Sequence, residues 1–318
     1  MHTFTIIIPV KPGGYVAACE HLRKSLPDEP CYEILLAEGK APSQQRNLAA
    51  REARGEILYF LDDDSRINPE NLARCSQVMT DPAVAVIGGP SITPPGDSWL
   101  QKLFGAALAS AFGSGGVCNR YRSNGELRVT TDKELILCNL AVRRSVFIEL
   151  GGFNECLYPN EENEFMERVT AAGYSQLHDP SMFVLRSQRQ TLKAFIRQMF
   201  SYGRGRGEQT LITASYSVTS FIPLFFVVYL IVALLGIKYV LLLVPLVIYV
   251  GAAFFSALFV LIRTGQPYAL LLPGIYPLMH VVNGIGLLWG LTHGKPDPVH
   301  DGSIQIRAIK KLGESLSV

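Results

Sequence analysis

The chain changes character near residue 210. Before that point short apolar runs alternate with mixed polar stretches; beyond it, long apolar runs follow one another almost without charge. Thr5 to Val10 is rich in β-branched residues, is ended by Pro9, and predicts a buried strand. A helical stretch from about Tyr15 to Ser25 follows, then a strand at Tyr32 to Leu36. Ser43 reads as the cap of a helix reaching about Arg54, and Glu56 to Leu61 as a third strand. Pro69 and Glu70 open another helix, and Val84 to Ile87 is a further strand. Strands separated by helices predict an α/β domain with a mostly parallel sheet covered on both faces. Ligands of such sheets bind beyond the carboxyl ends of strands. Asp62, Asp63 and Asp64 follow the third strand at such an end.

The second part predicts membrane spans near residues 217–236, 239–262 and 270–291, each with about the 20 apolar residues a crossing needs. From Leu211 to Ile262 the only charged side chain is Lys238, in a turn short enough to make the first two runs a tight hairpin. Pro273, Pro277, His280 and Asn283 interrupt the third run, which therefore also reads as kinked or re-entrant. Residues 181–207 contain no acidic side chain but hold Arg186, Arg189, Lys193, Arg197, Arg204 and Arg206. There Leu192, Phe195, Ile196, Met199 and Phe200 share a helix face, the pattern of a basic amphipathic helix in a membrane interface. The basic bias assigns this side to the cytoplasm. A second amphipathic stretch, Trp99 to Phe112, reads equally as core-facing or interfacial. The expected organisation is a domain over 1–207, spans over 211–294 and a tail over 295–318. Three spans put that tail outside, whereas Arg307, Lys310 and Lys311 favour the inside.

Composition narrows the function. Among 318 residues, 29 basic and 27 acidic side chains leave a net charge of +2, which gives no bulk signal for nucleic-acid binding. Six cysteines lie scattered in the polar part without a C-x-x-C pair, as expected of reduced thiols rather than a zinc site or disulfide framework. The N-terminus runs straight into the first strand without a basic leader, so the polar domain is expected to stay cytoplasmic.

Three adjacent carboxylates at a strand end need neutralising. Hard oxygen ligands suit Mg²⁺ or Mn²⁺, which take few carboxylates plus substrate phosphate oxygens; a solvated acidic turn before a helix is the plainer reading. Five motifs in order resemble family 2 glycosyltransferases of the GT-A fold, a Rossmann-like α/β domain. They are Thr5 to Val10; Arg46-Asn47 with Gly55 to Asp64; Arg143-Arg144 with Gly151 to Glu155; Glu161 to Phe165 with Arg168; and Tyr202 to Arg206. The resemblance implies a nucleotide-diphosphate sugar donor bound near Pro9, Val10, Glu38, Arg46, Asp62 and Asp63, with Asp62 and Asp64 on the metal. It makes Glu162 the catalytic base, with Glu161 as runner-up; the alternative is that both are first-turn helix acids. Arg204 and Arg206 would meet the diphosphate or lipid headgroups.

The pattern departs from the family in places. Ala37-Glu38-Gly39-Lys40 replaces the acidic motif after the second strand. The histidine expected near Leu185-Arg186-Ser187 is missing, and His178 reads as structural. Gln-x-x-Arg-Trp, the marker of processive polymerases, is absent, which implies addition of one sugar per encounter. The resulting expectation is an inverting, metal-dependent transfer from a UDP-sugar to a lipid-linked polyprenyl acceptor in cell-surface polysaccharide or glycolipid synthesis. The enzyme would be a multi-pass protein of the inner membrane with a cytoplasmic catalytic domain. A polyprenyl-phosphate glycosyltransferase and a non-catalytic membrane partner protein are the alternatives.

Overall fold

The structure, a computed structural model, describes residues 2–26 and 31–313; the end of the expected tail, 314–318, lies outside them. The elements run β1 (Phe4–Val10), α1 (Ala17–Ser25), β2 (Tyr32–Glu38), α2 (Pro42–Glu52), β3 (Ile57–Leu61), β4 (Arg66–Ile67), α3 (Asn71–Val78), β5 (Val84–Gly88), β6 (Ser91–Ile92), α4 (Trp99–Ala109) and α5 (Ala111–Ser114). They continue with β7 (Arg128–Val129), β8 (Asn139–Arg143), α6 (Arg144–Glu149), α7 (Glu161–Ala171), β9 (Ser175–His178), β10 (Val184–Leu185) and α8 (Leu192–Thr213). The last are α9 (Val218–Leu235), α10 (Val244–Thr264), α11 (Leu272–Thr292) and β11 (Gln305–Lys310). The chain forms two compact units, one of residues 1–92, 119–186 and 297–318, the other of 93–118 and 187–296.

The first unit is built on a sheet in the order β11-β2-β1-β3-β8-β5-β9-β7 among the described residues. β2, β1, β3, β5 and β9 share one direction, while β8, β7 and β11 run against them. This is the expected α/β architecture with a mostly parallel sheet. Alternation along β3 explains why both faces must be covered: Ile57, Tyr59 and Leu61 enter one core cluster, Leu58 and Phe60 the other. Several strands escape the sequence pattern, β8 and β11 of the main sheet among them. β8 inserts antiparallel between β3 and β5, and β11 adds the tail to β2 with Gln305 opposite Glu38. The helix expected from a Ser43 cap starts at Pro42, and the cap role is a correction. The Ser43 hydroxyl donates instead to the Leu157 carbonyl at 2.7 Å, because Pro42 already occupies the first turn. All six cysteines are free of disulfides.

The second unit is helical. Val218–Leu235, Val240–Thr264 and Pro267–Thr292 are long and apolar enough to cross a membrane. α8 carries the expected amphipathic face, but Phe195 and Met199 on it are buried in protein, with Phe195 stacked on Phe104 of α4 at 4.1 Å. α8 and α11 lie backbone to backbone. A Cβ placed on Gly203 would stand 2.0 Å from the Asn283 carbonyl oxygen, and one on Gly290 2.2 Å from that of Arg204. Only hydrogen fits at these positions.

Candidate active site

The site grows from the end of β3. Packing of Tyr59 fixes that end: its hydroxyl donates to Asn139 on β8 at 2.5 Å and accepts from Asn71 at 3.1 Å. The chain then leaves the sheet as Asp62-Asp63-Asp64. Alternation turns the three apart. Asp62 and Asp64 converge on the Arg186 guanidinium, with Nη2 3.0 Å from Asp62 Oδ2 and Nε 2.7 Å from Asp64 Oδ1. Burial, reinforced by Asp64 and Asp62, raises the pKa of half-buried Asp63. Burial alone would lower the Arg186 pKa, but Asp62 and Asp64 more than offset it and hold the charge on.

Arg46, buried on α2, joins these acids to a second group. Its Nη2 donates to Asp62 at 3.2 Å and its Nη1 to Glu161 at 2.9 Å. Glu161 and Glu162 open α7, where the helix N-terminus favours negative charge. Burial, with Glu162 beside it, pushes the Glu161 carboxyl up to about 8 against the pull of Arg46. Glu162 faces Arg120, with Nη1 3.8 Å from Oε1, and Arg120 also donates to Asn163 and to the Lys133 carbonyl. Asp64, Arg186, Asp62, Arg46 and Glu161 therefore form one run of contacting side chains in which acids alternate with arginines, and Glu162 stands beside its end on Arg120.

Aromatic packing holds α7 in place. Phe60, Phe147, Phe153 and Phe165 form a cluster with ring centroids 5.0–5.5 Å apart. Asn47 clamps it from α2, donating to the Phe153 carbonyl and accepting from the Phe153 amide, both at 2.8 Å. Gly152 turns there at φ +74°, where an added Cβ would meet Asn47 Oδ1 at 2.6 Å. Glu164 and Arg168 pair at 2.6 Å, and Arg168 reaches the carbonyls of Leu150 and Gly152. The Arg-Asn pair thus divides its work: Arg46 holds the acids, Asn47 the scaffold.

The remaining expected donor residues lie at neighbouring strand ends. Pro9 and Val10 close β1, and Val10 is in register with Glu38 at the end of β2. The Glu38 carboxylate accepts from the Gly13 amide at 2.8 Å. The tail reaches the same edge, with Lys40 N donating to Asp301 at 2.7 Å. Arg204 and Arg206 belong to the other unit, on α8, where Arg204 Nε lies 3.5 Å from Glu208. Sequence reasoning missed Arg120 and Asp301, which carry no local signal, and counted Arg186 among membrane-facing basics.

Among the described residues no three His, Cys, Asp or Glu side chains form a ready metal cage. The donor set nevertheless fits a hard divalent cation. The Arg186 guanidinium acts as a stand-in cation: one oxygen each of Asp62 and Asp64 lies within 3.0 Å of neighbouring nitrogens of the same guanidinium group. Two carboxylates suit Mg²⁺ or Mn²⁺ when substrate phosphates supply further ligands.

A family model described as Glycosyl transferase family group 2 matches residues 57–291. No curated protein matches the chain in sequence. Among solved structures, similarity extends to the mannosyltransferase PcManGT from Pyrobaculum calidifontis in complex with GDP-Man and Mn²⁺, at 15% identity and TM-score 0.48, covering 91% of this chain and 87% of that one. GalNAc-T7 with UDP, GalNAc and Mn²⁺ follows at 15% identity and TM-score 0.41, covering 68% and 52%. TarS of S. aureus stands at 13% identity and TM-score 0.43, covering 91% and 54%. The chain thus spans about half the length of the latter two.

Proposed function

The chain belongs to glycosyl transferase family group 2, and from that premise we propose that it moves one sugar, with inversion, from a nucleotide-diphosphate donor to a lipid-linked acceptor at the cytoplasmic membrane face. The observation that carries this reading is the Arg46 bridge, which ties the donor-side Asp62 to the acceptor-side Glu161. Donor phosphates and acceptor hydroxyl need adjacent sites if one displacement is to join them.

In the proposed step the acceptor oxygen forms a bond to the anomeric carbon as the bond from that carbon to the diphosphate oxygen breaks. Glu162 takes the hydroxyl proton, and the nucleoside diphosphate leaves with the electron pair. Asp62 and Asp64 would hold Mg²⁺ or Mn²⁺, which neutralises the leaving diphosphate when bound. Pro9, Val10, Glu38 and Asp63 line the strand ends proposed for the nucleoside. A UDP-sugar is the first donor to test. Arg204 and Arg206 are assigned to diphosphate or headgroup contacts, and the apolar helices keep the enzyme beside a polyprenyl-linked acceptor. Polysaccharide or glycolipid synthesis is the process such a product feeds.

Calorimetric titration of the full-length protein with UDP and Mn²⁺, repeated on Asp64→Ala, tests the donor half. Metal-dependent binding lost in the variant supports the reading; no binding to wild type overturns it. Radiolabelled nucleotide sugars offered with a membrane lipid extract test the acceptor half, where label must enter the lipid fraction.

A further inference from the structure

We propose that Arg186 is a built-in counter-cation that closes the Asp62/Asp64 pair in the substrate-free protein and yields it to the metal when a nucleoside diphosphate arrives. The inference rests on the donor site proposed above. Its starting point is that the two aspartates are already saturated with positive charge. Asp62 contacts two arginines, Arg46 at 3.2 Å and Arg186 at 3.0 Å, and Asp64 is held by Arg186 at 2.7 Å. A divalent cation entering alone would bring two further charges beside two guanidinium groups. At separations near 4 Å such repulsion is worth several-fold to many-fold in affinity, even with substantial screening.

The two arginines differ in what they can do. Arg46 is anchored at both ends of its fork, on Asp62 and Glu161, and only 5% of its side chain is exposed. Arg186 follows the short strand β10; its amide donates to the Ile92 carbonyl at 3.0 Å, and its side chain reaches partly into solvent. The backbone is therefore fixed while the long side chain is free to exchange partners. A planar guanidinium suits a phosphate as well as it suits a carboxylate pair. When a diphosphate carries the metal in, Arg186 loses two carboxylates and gains phosphate oxygens, so the positive charge stays matched. Arg186 is thus a positioning residue whose effect is to make metal and nucleotide binding mutually dependent, and such coupling is reciprocal.

The test is Mn²⁺ binding to the full-length protein, read by the loss of the free Mn²⁺ electron paramagnetic resonance signal, with and without UDP. In wild type, Mn²⁺ alone should bind weakly and UDP should tighten it at least tenfold. In Arg186→Gln, Mn²⁺ alone should bind about tenfold tighter than to wild type, and the gain from UDP should shrink correspondingly. Arg186→Lys, which keeps the charge, should stay near wild type and guards against misfolding of the glutamine variant. A purely structural role predicts weaker Mn²⁺ binding in both variants. Equal affinity for Mn²⁺ alone in wild type and Arg186→Gln overturns the proposal while leaving the donor site standing. If UDP has no effect on any protein, the donor reading fails, and the comparison in Mn²⁺ alone still decides the role of Arg186.

Discussion

Gly203 lies in the Tyr202–Arg206 motif, and the sign of its replacement by alanine separates two physical explanations. In an ordinary helix interior, alanine for glycine gains about 1 kcal/mol through reduced backbone entropy. At position 203 the new Cβ would meet the Asn283 carbonyl oxygen at 2.0 Å, the Asn283 carbonyl carbon at 2.9 Å and the Leu287 nitrogen at 2.8 Å. Comfortable contacts between heavy atoms lie at about 3.5–4.0 Å. All three obstacles are backbone, so no rotamer change relieves them and α8 must move away from α11. Overpacking of this kind costs about 1–3 kcal/mol. Separation also weakens the hydrogen bond from Asn283 Nδ2 to the Met199 carbonyl, 3.3 Å long, which adds about 1 kcal/mol. The net expectation is a loss of about 1–3 kcal/mol once the alanine gain is subtracted. Gly251, inside α10, is the control, because a Cβ there meets nothing within 4 Å. Thermal unfolding of the detergent-solubilised protein, followed by tryptophan fluorescence, provides the assay, since Trp289 on α11 sits 6.2 Å from Phe200 on α8. Gly203→Ala should lower the midpoint by several degrees, at about 2–4 °C per kcal/mol, and Gly251→Ala should hold or raise it. Two variants shifting upward together would refute the close-packing account.

Three further expectations concern the site and the topology. Glu162→Gln should slow transfer to a hydroxyl acceptor by about 10²–10⁴-fold if the carboxylate is the base; a polyprenyl phosphate acceptor, which hardly needs one, should be affected little, and rates with both acceptors distinguish the cases. Burial holds the Glu161 proton up to about 8, so between roughly pH 4.5 and 8 the folded state keeps a proton that the unfolded chain releases. Stability should therefore fall as pH rises across that window, and Glu161→Gln should flatten the slope seen in denaturant titrations. Because β11 pairs with β2, a tag placed at the C-terminus should be accessible from the same membrane side as one at the N-terminus. That leaves an even number of crossings among the three apolar helices, and tags on opposite sides would contradict it.

Of the parallel strands, β1, β2, β3 and β5 were legible because apolar runs between turn residues carry their own signal, whereas β9, with the sequence Ser-Gln-Leu-His, was not; the acids at the end of β3 were legible because three carboxylates stand out in any context. β8 was not legible. Asn139 to Arg143 is short and ends in an arginine, and its partners β3 and β5 are remote in the chain. β11 does alternate, with Ile306 opposite Ala37 and Ala308 opposite Leu35, but an edge strand of that length resembles a polar tail. Lys310 illustrates the cost of reading charge alone. It is buried, donates to the Tyr32 carbonyl at 2.9 Å and sits over that ring at 4.0 Å, so it serves the sheet rather than a membrane headgroup.

The same lesson applies more strongly to the arginines of the site. A sequence ranks Arg46 by its motif, Arg186 by its basic neighbours and Arg120 by nothing, since a guanidinium has no periodicity. What separates them is which carboxylates the fold delivers. Arg46 receives Asp62 from β3 and Glu161 from α7, residues 16 and 115 positions away. Arg186 receives Asp62 and Asp64 across more than a hundred residues. Opposite charges this close in a partly buried site stabilise only when every member is paired. The acids therefore determine the arginines, and the arginines in turn set what a metal or a phosphate must displace to bind.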